Sequence, residues 1–168
     1  MTDPVVIYHD KCPDGLAAAW AAFTVYGDLA TYVPASYGDA PPPIAREDGT
    51  ARDVIVVDFS YPRDVLLRLH SEAHSLLVLD HHSTAATALE GLPFCVFDME
   101  RSGAGLAWDV LRPGVPRSWV IDYAEDRDLW RHHLPDTHTV NAWLHAEPRT
   151  IDNIARAATT PIKSTIVN

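Results

Sequence analysis

The chain has 168 residues, of which 47% are hydrophobic and 21% charged. This length and composition indicate one globular domain, or one domain with a short appendage. Thirteen basic against 23 acidic residues give a formal net charge of −10, which argues against extensive binding to duplex nucleic acid. A small phosphorylated substrate or a short oligonucleotide remains compatible, because metal ions can supply the missing positive charge.

Four continuous apolar runs predict the strands of the fold. They occupy residues 5–8, 54–57, 76–79 and 94–97, and a weaker fifth run covers residues 30–33. Because these runs do not alternate with polar residues, they favour strands covered on both faces, as in a parallel sheet.

Helical patterns separate these runs. They cover residues 16–25, 62–73 and 103–111, and we expect Ser60 to cap the second helix, with Pro62 in its first turn. The alternation predicts an α/β fold, a doubly wound, mostly parallel sheet of about five strands with helices on both faces. Residues 34–52 include three consecutive prolines and are expected to form an exposed connection.

The strand pattern ends after Pro116. Residues 118–130 and 137–145 have a helical pattern, and residues 149–168 contain one short helix followed by a polar tail. No run reaches the roughly 18 apolar residues that span a bilayer, and the N-terminus lacks the pattern of a signal peptide. We therefore expect a cytoplasmic protein without a membrane partner, in which Cys12 and Cys95 are reduced thiols.

Ionisable residues cluster where the apolar runs end. The first run is followed by residues 9–15, and the later runs end in Asp58, in Asp80-His81-His82 and in Asp98. Ligands of open α/β sheets bind outside the carboxyl ends of the strands, near the point where the strand order reverses. One aspartate at a strand end is often only a helix cap, but Asp and His residues at the ends of several strands together are hard to explain by packing.

The residue types in these clusters restrict the chemistry. Carboxylates mixed with imidazoles, without paired cysteines, favour Mn²⁺, Mg²⁺ or Zn²⁺ over an iron–sulfur centre or a structural zinc site. Two metal ions about 4 Å apart, bridged by an aspartate, are a common device for activating water against a phosphorus centre. The sequence therefore predicts a metal-dependent phosphoester hydrolase whose site is built around residues 80–82.

Four motifs, taken in chain order, resemble those of the DHH phosphoesterase superfamily. They are His9 with Cys12-Pro13-Asp14-Gly15-Leu16-Ala17-Ala18-Ala19-Trp20, then Val57-Asp58, Asp80-His81-His82 and Glu125-Asp126-Arg127-Asp128-Leu129-Trp130. The resemblance spans about residues 4–132. It implies an exonuclease-like phosphodiesterase that uses Mn²⁺, with two ions expected and Mg²⁺ as the alternative, on short oligonucleotides or a small nucleotide-like phosphoester.

The resemblance also implies the metal ligands and the division of the chain. The expected ligands are His9, Asp14, Asp58, His81 and Asp126, and Asp58 would bridge both ions. Residues 1–134 would form the catalytic domain. Residues 135–168 would be a helical extension or the truncated remnant of a substrate-binding domain.

Further roles carry over from the same motifs. His82 would face the substrate phosphate as a hydrogen-bond donor or acid. Asp80 would orient one of the metal ligands without binding the metal itself. Asp128 would support Asp126 or cap local backbone. The backbone amides of Ser102-Gly103 would bind a phosphate.

Two departures from the superfamily pattern leave alternatives open. Lys11 stands where the superfamily usually has an aspartate and this branch of it often has an asparagine, and an ammonium group cannot ligate a metal. Either Asp10 substitutes, or Lys11 points outward or toward a phosphate, or the first metal site is weak. In addition, the chain has no glycine after Gly114, so the glycine-rich C-terminal domain of the superfamily is absent or the chain is a fragment.

These departures support a second hypothesis, a catalytically weak or inactive module that binds a nucleotide or a metal. A homo-oligomer is a further expectation, because a partner subunit could complete an open site. Arg127 could reach a phosphate or form a salt bridge. The tryptophans have mostly core-like spacings, and exposed or capping roles are expected for four later histidines, His132, His133, His138 and His145.

Overall fold

The computed structural model describes residues 3–146 and 150–162. Five strands form a single sheet, namely β1 (Val5–His9), β2 (Thr31–Ala35), β3 (Asp53–Val57), β4 (Ser75–Asp80) and β5 (Cys95–Phe97). Their order is β2-β1-β3-β4-β5, and every neighbouring pair is parallel. Because β2 lies on one side of β1 and β3 on the other, the strand order reverses between β1 and β3.

Helices connect the strands and follow the sheet. They are α1 (Pro13–Tyr26), α2 (Arg63–Glu72), α3 (Ser83–Ala88), α4 (Gly103–Leu111), α5 (Trp119–Asp128), α6 (Thr137–Ala146) and α7 (Ile151–Thr159). Within the described ranges, no helix is both long and apolar enough to cross a membrane.

Both faces of the central strands are covered. On β3, Ile55 and Val57 belong to one core with side chains of α1, α4, α5 and α7, whereas Val54 and Val56 belong to a second core with side chains of α2. Each such side chain contributes roughly 1.5–3 kcal/mol when it is fully buried. The doubly wound α/β fold predicted from the sequence is therefore confirmed, and two-sided burial explains the continuous apolar runs.

The edge strand β5 departs from the prediction of two-sided burial. It has three residues, pairs with β4 alone among the described strands, and leaves Val96 exposed. An edge strand is covered on fewer sides than a central one, and its apolar sequence alone does not show its place in the sheet. The short helix α3 was also not predicted, because its sequence has no clear apolar face.

The cap predicted for α2 is also wrong. Pro62 occupies the N-cap position of α2, and the hydroxyl of Ser60 instead donates a hydrogen bond of 2.5 Å to Asp80 Oδ2. Ser60 lies three residues after the end of β3 and is buried. The hydroxyl of Ser60 therefore binds a carboxylate on the neighbouring strand and does not cap the helix.

The C-terminal helices pack on the same face as α1. Ile154 and Ala157 of α7 belong to the core that contains α1 and α5, and Val140 of α6 is buried. The predicted boundary at residue 134 stays a prediction. These contacts fix the position of α5, which carries the last of the four motifs.

Candidate metal centre

The ionisable residues predicted from the sequence lie at the carboxyl edge of the sheet, beside the reversal in strand order. His9 is the last residue of β1, Asp58 directly follows β3, and Asp80 is the last residue of β4. Asp14 lies in the first turn of α1, which begins four residues after β1 ends. Parallel strands and short connections therefore bring residues from distant parts of the chain to one place.

His81 lies among three carboxylates. Its Nε2 atom is 3.2 Å from Asp58 Oδ1, 3.5 Å from Asp128 Oδ2 and 3.9 Å from Asp14 Oδ2. On the other side of Asp58, His9 Nδ1 is 3.6 Å from Oδ2. One imidazole and three carboxylates at such distances form a donor set suited to a divalent cation.

Three groups of side chains in the described residues place their donor atoms within 4.8 Å of one another. They are His9 with Cys12 and Asp58, Asp58 with His81 and His82, and Asp14 with His81 and Asp128. Asp58 and His81 each belong to two groups. From the sequence, Cys12 was expected only to be a reduced thiol, and its spacing alone gives no signal that it faces this cluster.

Asp58 is held in an unusual state. It is 1% exposed and has a φ of 53°, a left-handed conformation that is costly for a residue with a side chain. Burial acts to raise the pKa of Asp58, but the imidazoles of His81 and His9 outweigh burial and lower the pKa to about 2. Neither carboxylate oxygen has a partner in hydrogen-bond geometry among the described residues. A buried, ionised carboxylate in this state fits a bridging metal ligand.

Asp14 and Asp128 show the opposite electrostatic effect. Burial, followed by the negative charges of Asp58 and Asp128, raises the pKa of Asp14 well above its ordinary value. Burial also raises the pKa of Asp128, with Asp58 adding to the shift and His81 opposing it. Three carboxylates near one imidazole carry excess negative charge, and divalent cations would neutralise it. The residues present therefore fit a metal centre.

Asp80 orients His82 from inside the protein. It is fully buried and its Oδ1 lies 2.6 Å from His82 Nδ1, while Oδ2 accepts the hydrogen bond from Ser60. The backbone amide of His81 also donates to Oδ1, at 2.7 Å. The pKa of Asp80 is lowered because the bonds from His82 and Ser60 outweigh its burial. An ionised Asp80 can only accept, so Nδ1 of His82 carries a proton.

Two glycines allow the elements of the site to approach each other closely. A Cβ atom on Gly15 would lie 2.8 Å from the Cβ of His9, and one on Gly103 would lie 2.7 Å from Asp58 Cγ. Real Cβ atoms do not approach other atoms so closely. The starts of α1 and α4 can therefore contact the ends of β1 and β3 only because these positions lack side chains.

The fourth motif delivers Asp128 to the cluster, and not Asp126 as expected. Asp126 accepts hydrogen bonds from the amides of His133 at 2.8 Å and Leu134 at 3.3 Å, and it is in none of the three donor groups. Positions 126 and 128 are about 200° apart around a helix, so one of them faces away when the other faces the site. Asp126 has instead the capping role that was expected for Asp128.

Lys11 points away from the cluster. Its side chain is 83% exposed, and its ammonium group lies 3.7 Å from Asp10 Oδ2. Among the alternatives left open by the sequence, the outward orientation is the one observed. Asp10 belongs to none of the three donor groups and so does not take the place of the missing ligand.

Of the two amides expected to donate to a phosphate, that of Ser102 has another partner, and the amide of Gly103 stays a prediction. Ser102 N donates to Glu125 Oε2 at 3.1 Å, and the neighbouring Ala104 N donates to Asp14 Oδ1 at 3.2 Å. Ser102 caps α4 by accepting a hydrogen bond from Gly105, and Gly103 packs against Asp58. This turn therefore holds Asp14 and Asp58 in place. Arg127 is exposed and lines a cavity next to Asp14 and Asp128.

The chain matches no family model. It is similar to Uncharacterized protein R106 of Acanthamoeba polyphaga mimivirus, with 32% identity over 146 residues. That match covers 79% of this chain and 35% of the viral protein, so the chain spans about a third of the relative's length.

A solved structure shares the fold. An uncharacterized protein from Helicobacter pylori G27 superposes with a TM-score of 0.64 at 12% identity, covering 98% of this chain and 67% of that protein. At this level of identity the likeness concerns the arrangement of helices and strands. It extends over almost the whole of this chain, including its C-terminal helices.

Proposed function

We propose that this chain is a metal-dependent phosphoesterase of the DHH type. Its reaction is the hydrolysis of a phosphodiester bond in short oligonucleotides or in a small nucleotide-like phosphoester. The observation that carries the proposal is the convergence of His9, Asp14, Asp58, His81 and Asp128 at the reversal in strand order. Its support from the sequence is the order of the four motifs that resemble this superfamily.

Two groups of side chains would hold the cations. His9 and Asp58 would form one group, and Asp14, His81 and Asp128 would form the other. Asp58 connects the two groups, because one of its oxygens lies near His9 and the other lies near His81. Mn²⁺ is the ion that the resemblance implies, and Mg²⁺ suits the same oxygen donors. Such cations would lower the pKa of a water molecule and neutralise the charge on the phosphoryl oxygens.

The chain itself supplies a proton to the leaving group. His82 is fixed by Asp80 through Nδ1, which leaves Nε2 as the ring atom that can exchange a proton with substrate. The hydrogen bond to Asp80 raises the pKa of His82, so the protonated form persists closer to neutral pH. A positioned imidazolium next to the metal ligands is suited to protonate a departing oxygen.

The test measures turnover and metal content together. Purified protein is assayed with Mn²⁺ on bis(p-nitrophenyl) phosphate and on dinucleotides, beside the variants Asp58→Asn and His81→Ala. We expect each variant to lose at least about a hundredfold in activity, because even residues that only support metal ligands cost 10- to 100-fold. Asp98→Asn is the matched control, since this aspartate also follows a strand but pairs with Arg101 outside the cluster.

Two outcomes contradict the proposal in different ways. No turnover by the unmodified protein, with one Mn²⁺ or none per chain, favours the non-catalytic binding module. Full turnover in both variants shows that the reaction occurs elsewhere on the molecule.

A further inference from the structure

A cavity of about 330 Å³ opens beside the candidate metal centre. Asp14 and Asp128 line it on the side of the cluster, and Arg127, Trp130, His132 and His138 line it elsewhere. Ligand sites for small molecules begin at about this size. A substrate that contacts the metal centre can therefore extend into this space.

Trp130 presents a large aromatic surface at this cavity. Its side chain is 81% exposed, more than that of any other large hydrophobic residue in the described chain. Water is an unfavourable environment for an indole, and an exposed indole beside a polar site is typical of a binding surface.

The turn that carries Trp130 is fixed and strained. Trp130 and His132 have φ values of 53° and 50°, in the left-handed region. The amides of Arg131 and His132 both donate to the carbonyl of Asp126, and the Asp126 side chain accepts from the two following amides. Strained conformations of this kind persist where the surroundings enforce them, and they concentrate at ligand sites. The structural role of Asp126 is thus to hold Trp130 at the cavity.

Two imidazoles extend the aromatic surface. The rings of His132 and His138 are stacked with centroids 4.6 Å apart, and the Trp130 ring meets His132 edge-on at 5.5 Å. Both ring nitrogens of His132 are screened from solvent and have no hydrogen-bond partner among the described residues. What His132 offers a ligand is therefore its ring, which continues the aromatic surface of Trp130 along the cavity.

We propose that this cavity binds the base of a nucleotide whose phosphate lies at the metal centre, with Trp130 as the stacking residue. The inference rests on the proposed function for the position of the phosphate. Every nucleobase has a π-face and hydrogen-bonding edges, while a sugar phosphate or an inorganic polyphosphate has no π-face. Trp130, His132 and His138 therefore select nucleotides over other phosphoesters.

The experiment compares ligands that differ in the base. Adenosine 5′-monophosphate and ribose 5-phosphate are titrated calorimetrically into the Mn²⁺-loaded protein. We expect the nucleotide to bind at least about tenfold more tightly, the factor that stacking of one base on an aromatic side chain typically supplies. Trp130→Ala removes most of this difference and leaves the affinity for ribose 5-phosphate unchanged, while Trp130→Phe keeps most of it.

A control variant and a fold check accompany these titrations. Leu67→Ala removes another exposed apolar side chain, on α2 at the opposite face of the sheet, and should change neither affinity. Circular dichroism verifies that each variant is folded. Equal binding of the two ligands by the unmodified protein overturns the inference, as does a Trp130→Ala variant that weakens both ligands equally.

Adenosine separates this inference from the proposed function, because it lacks a phosphate and needs no metal. Adenosine binding that depends on Trp130, in a protein without phosphodiester turnover, retains the base site and rejects the enzyme. Metal-dependent turnover without any preference for a base retains the enzyme and rejects the base site.

Discussion

Two clusters of carboxylates in this molecule have opposite electrostatic surroundings. At the candidate metal centre, Asp14, Asp58 and Asp128 face imidazoles and one another. Burial raises the pKa of Asp14 and of Asp128, whereas the imidazoles lower that of Asp58. Between α4 and α5, Asp109 and Glu125 face guanidinium groups instead. The two clusters share the same type of ionisable group, so the difference between them lies in the partners that the fold supplies.

The second cluster, which we call the arginine network, consists of Asp109, Arg117, Glu125 and Arg131. Arg117 binds Asp109 through two hydrogen bonds of 2.9 and 2.6 Å, and it lies 3.0 Å from Glu125 Oε1. Arg131 contacts the same Glu125 oxygen at 2.9 Å. Here each carboxylate has a cation, so the network stabilises the fold. At the candidate metal centre, the carboxylates lie beside imidazoles instead, and the excess of carboxylates over imidazoles around His81 suits this site to bind added cations.

The largest expected effect sharpens the contrast within the fourth motif. Asp128→Asn should weaken Mn²⁺ binding by at least about tenfold, whereas Asp126→Asn should change it by less, because only Asp128 faces His81. Isothermal titration with Mn²⁺ measures both affinities. If Asp126→Asn proves the more damaging variant for metal binding, the assignment of Asp128 as the ligand is wrong.

A smaller effect concerns stability without metal. Asp14 has a raised pKa in the folded state, so its ionisation costs stability as pH rises above its ordinary value of 3.8. In EDTA, Asp14→Asn should therefore raise the unfolding midpoint at pH 7 by about 3 °C, the shift that 1 kcal/mol gives in a chain of this size.

The gain from Asp14→Asn should decline as the pH is lowered toward 4, where the unfolded carboxyl also takes up a proton. Thermal unfolding followed by circular dichroism at both pH values tests this. With Mn²⁺ in excess, the variant should instead have a lower unfolding midpoint than the parent, since it has lost a metal ligand. A variant less stable than the parent in EDTA at pH 7 would contradict the idea that burial and charge repulsion make the ionised Asp14 destabilising.

The smallest effect comes from the arginine network. The hydrogen bonds from Arg117 lower the pKa of Asp109, so this carboxylate contributes stability above its ordinary pKa and loses it as pH falls through the depressed value. Asp109→Asn should lower stability by about 0.5–1 kcal/mol at pH 7, because the pair is partly exposed. Urea denaturation at pH 7 and pH 3 measures the change, and a loss equally large at both pH values would exclude an electrostatic origin.

The sequence was sufficient for the fold because the core follows a simple pattern. Continuous apolar runs located β1, β3 and β4, and helical spacing gave the bounds of α4 without error. Both signals come from burial of many side chains at regular intervals. The edge strand β5 and the cap at Ser60 were less predictable, because they depend on a single neighbour in the sheet.

The candidate site was partly predictable for a similar reason. The residues His9, Asp58 and Asp80 follow or end apolar runs, so the predicted ends of the strands were sufficient to place them at the site. The choice between Asp126 and Asp128 depended on which side of α5 faces the sheet near its last turn, and two residues of spacing cannot settle that. The proposed base site was not predicted from the sequence, because Trp130 is exposed on a left-handed turn, a conformation that its sequence does not favour.

The two glycine contacts have a consequence for the entropy of ligand binding. Gly15 and Gly103 lock the starts of α1 and α4 onto β1 and β3, so the backbones carrying His9, Asp14 and Asp58 are already in place. A cation bound at the proposed centre would spend none of its binding free energy on ordering these three ligands, since the backbones that carry them are already in place. The affinity of the centre is then governed by desolvation of the ion and by the charge of the carboxylates.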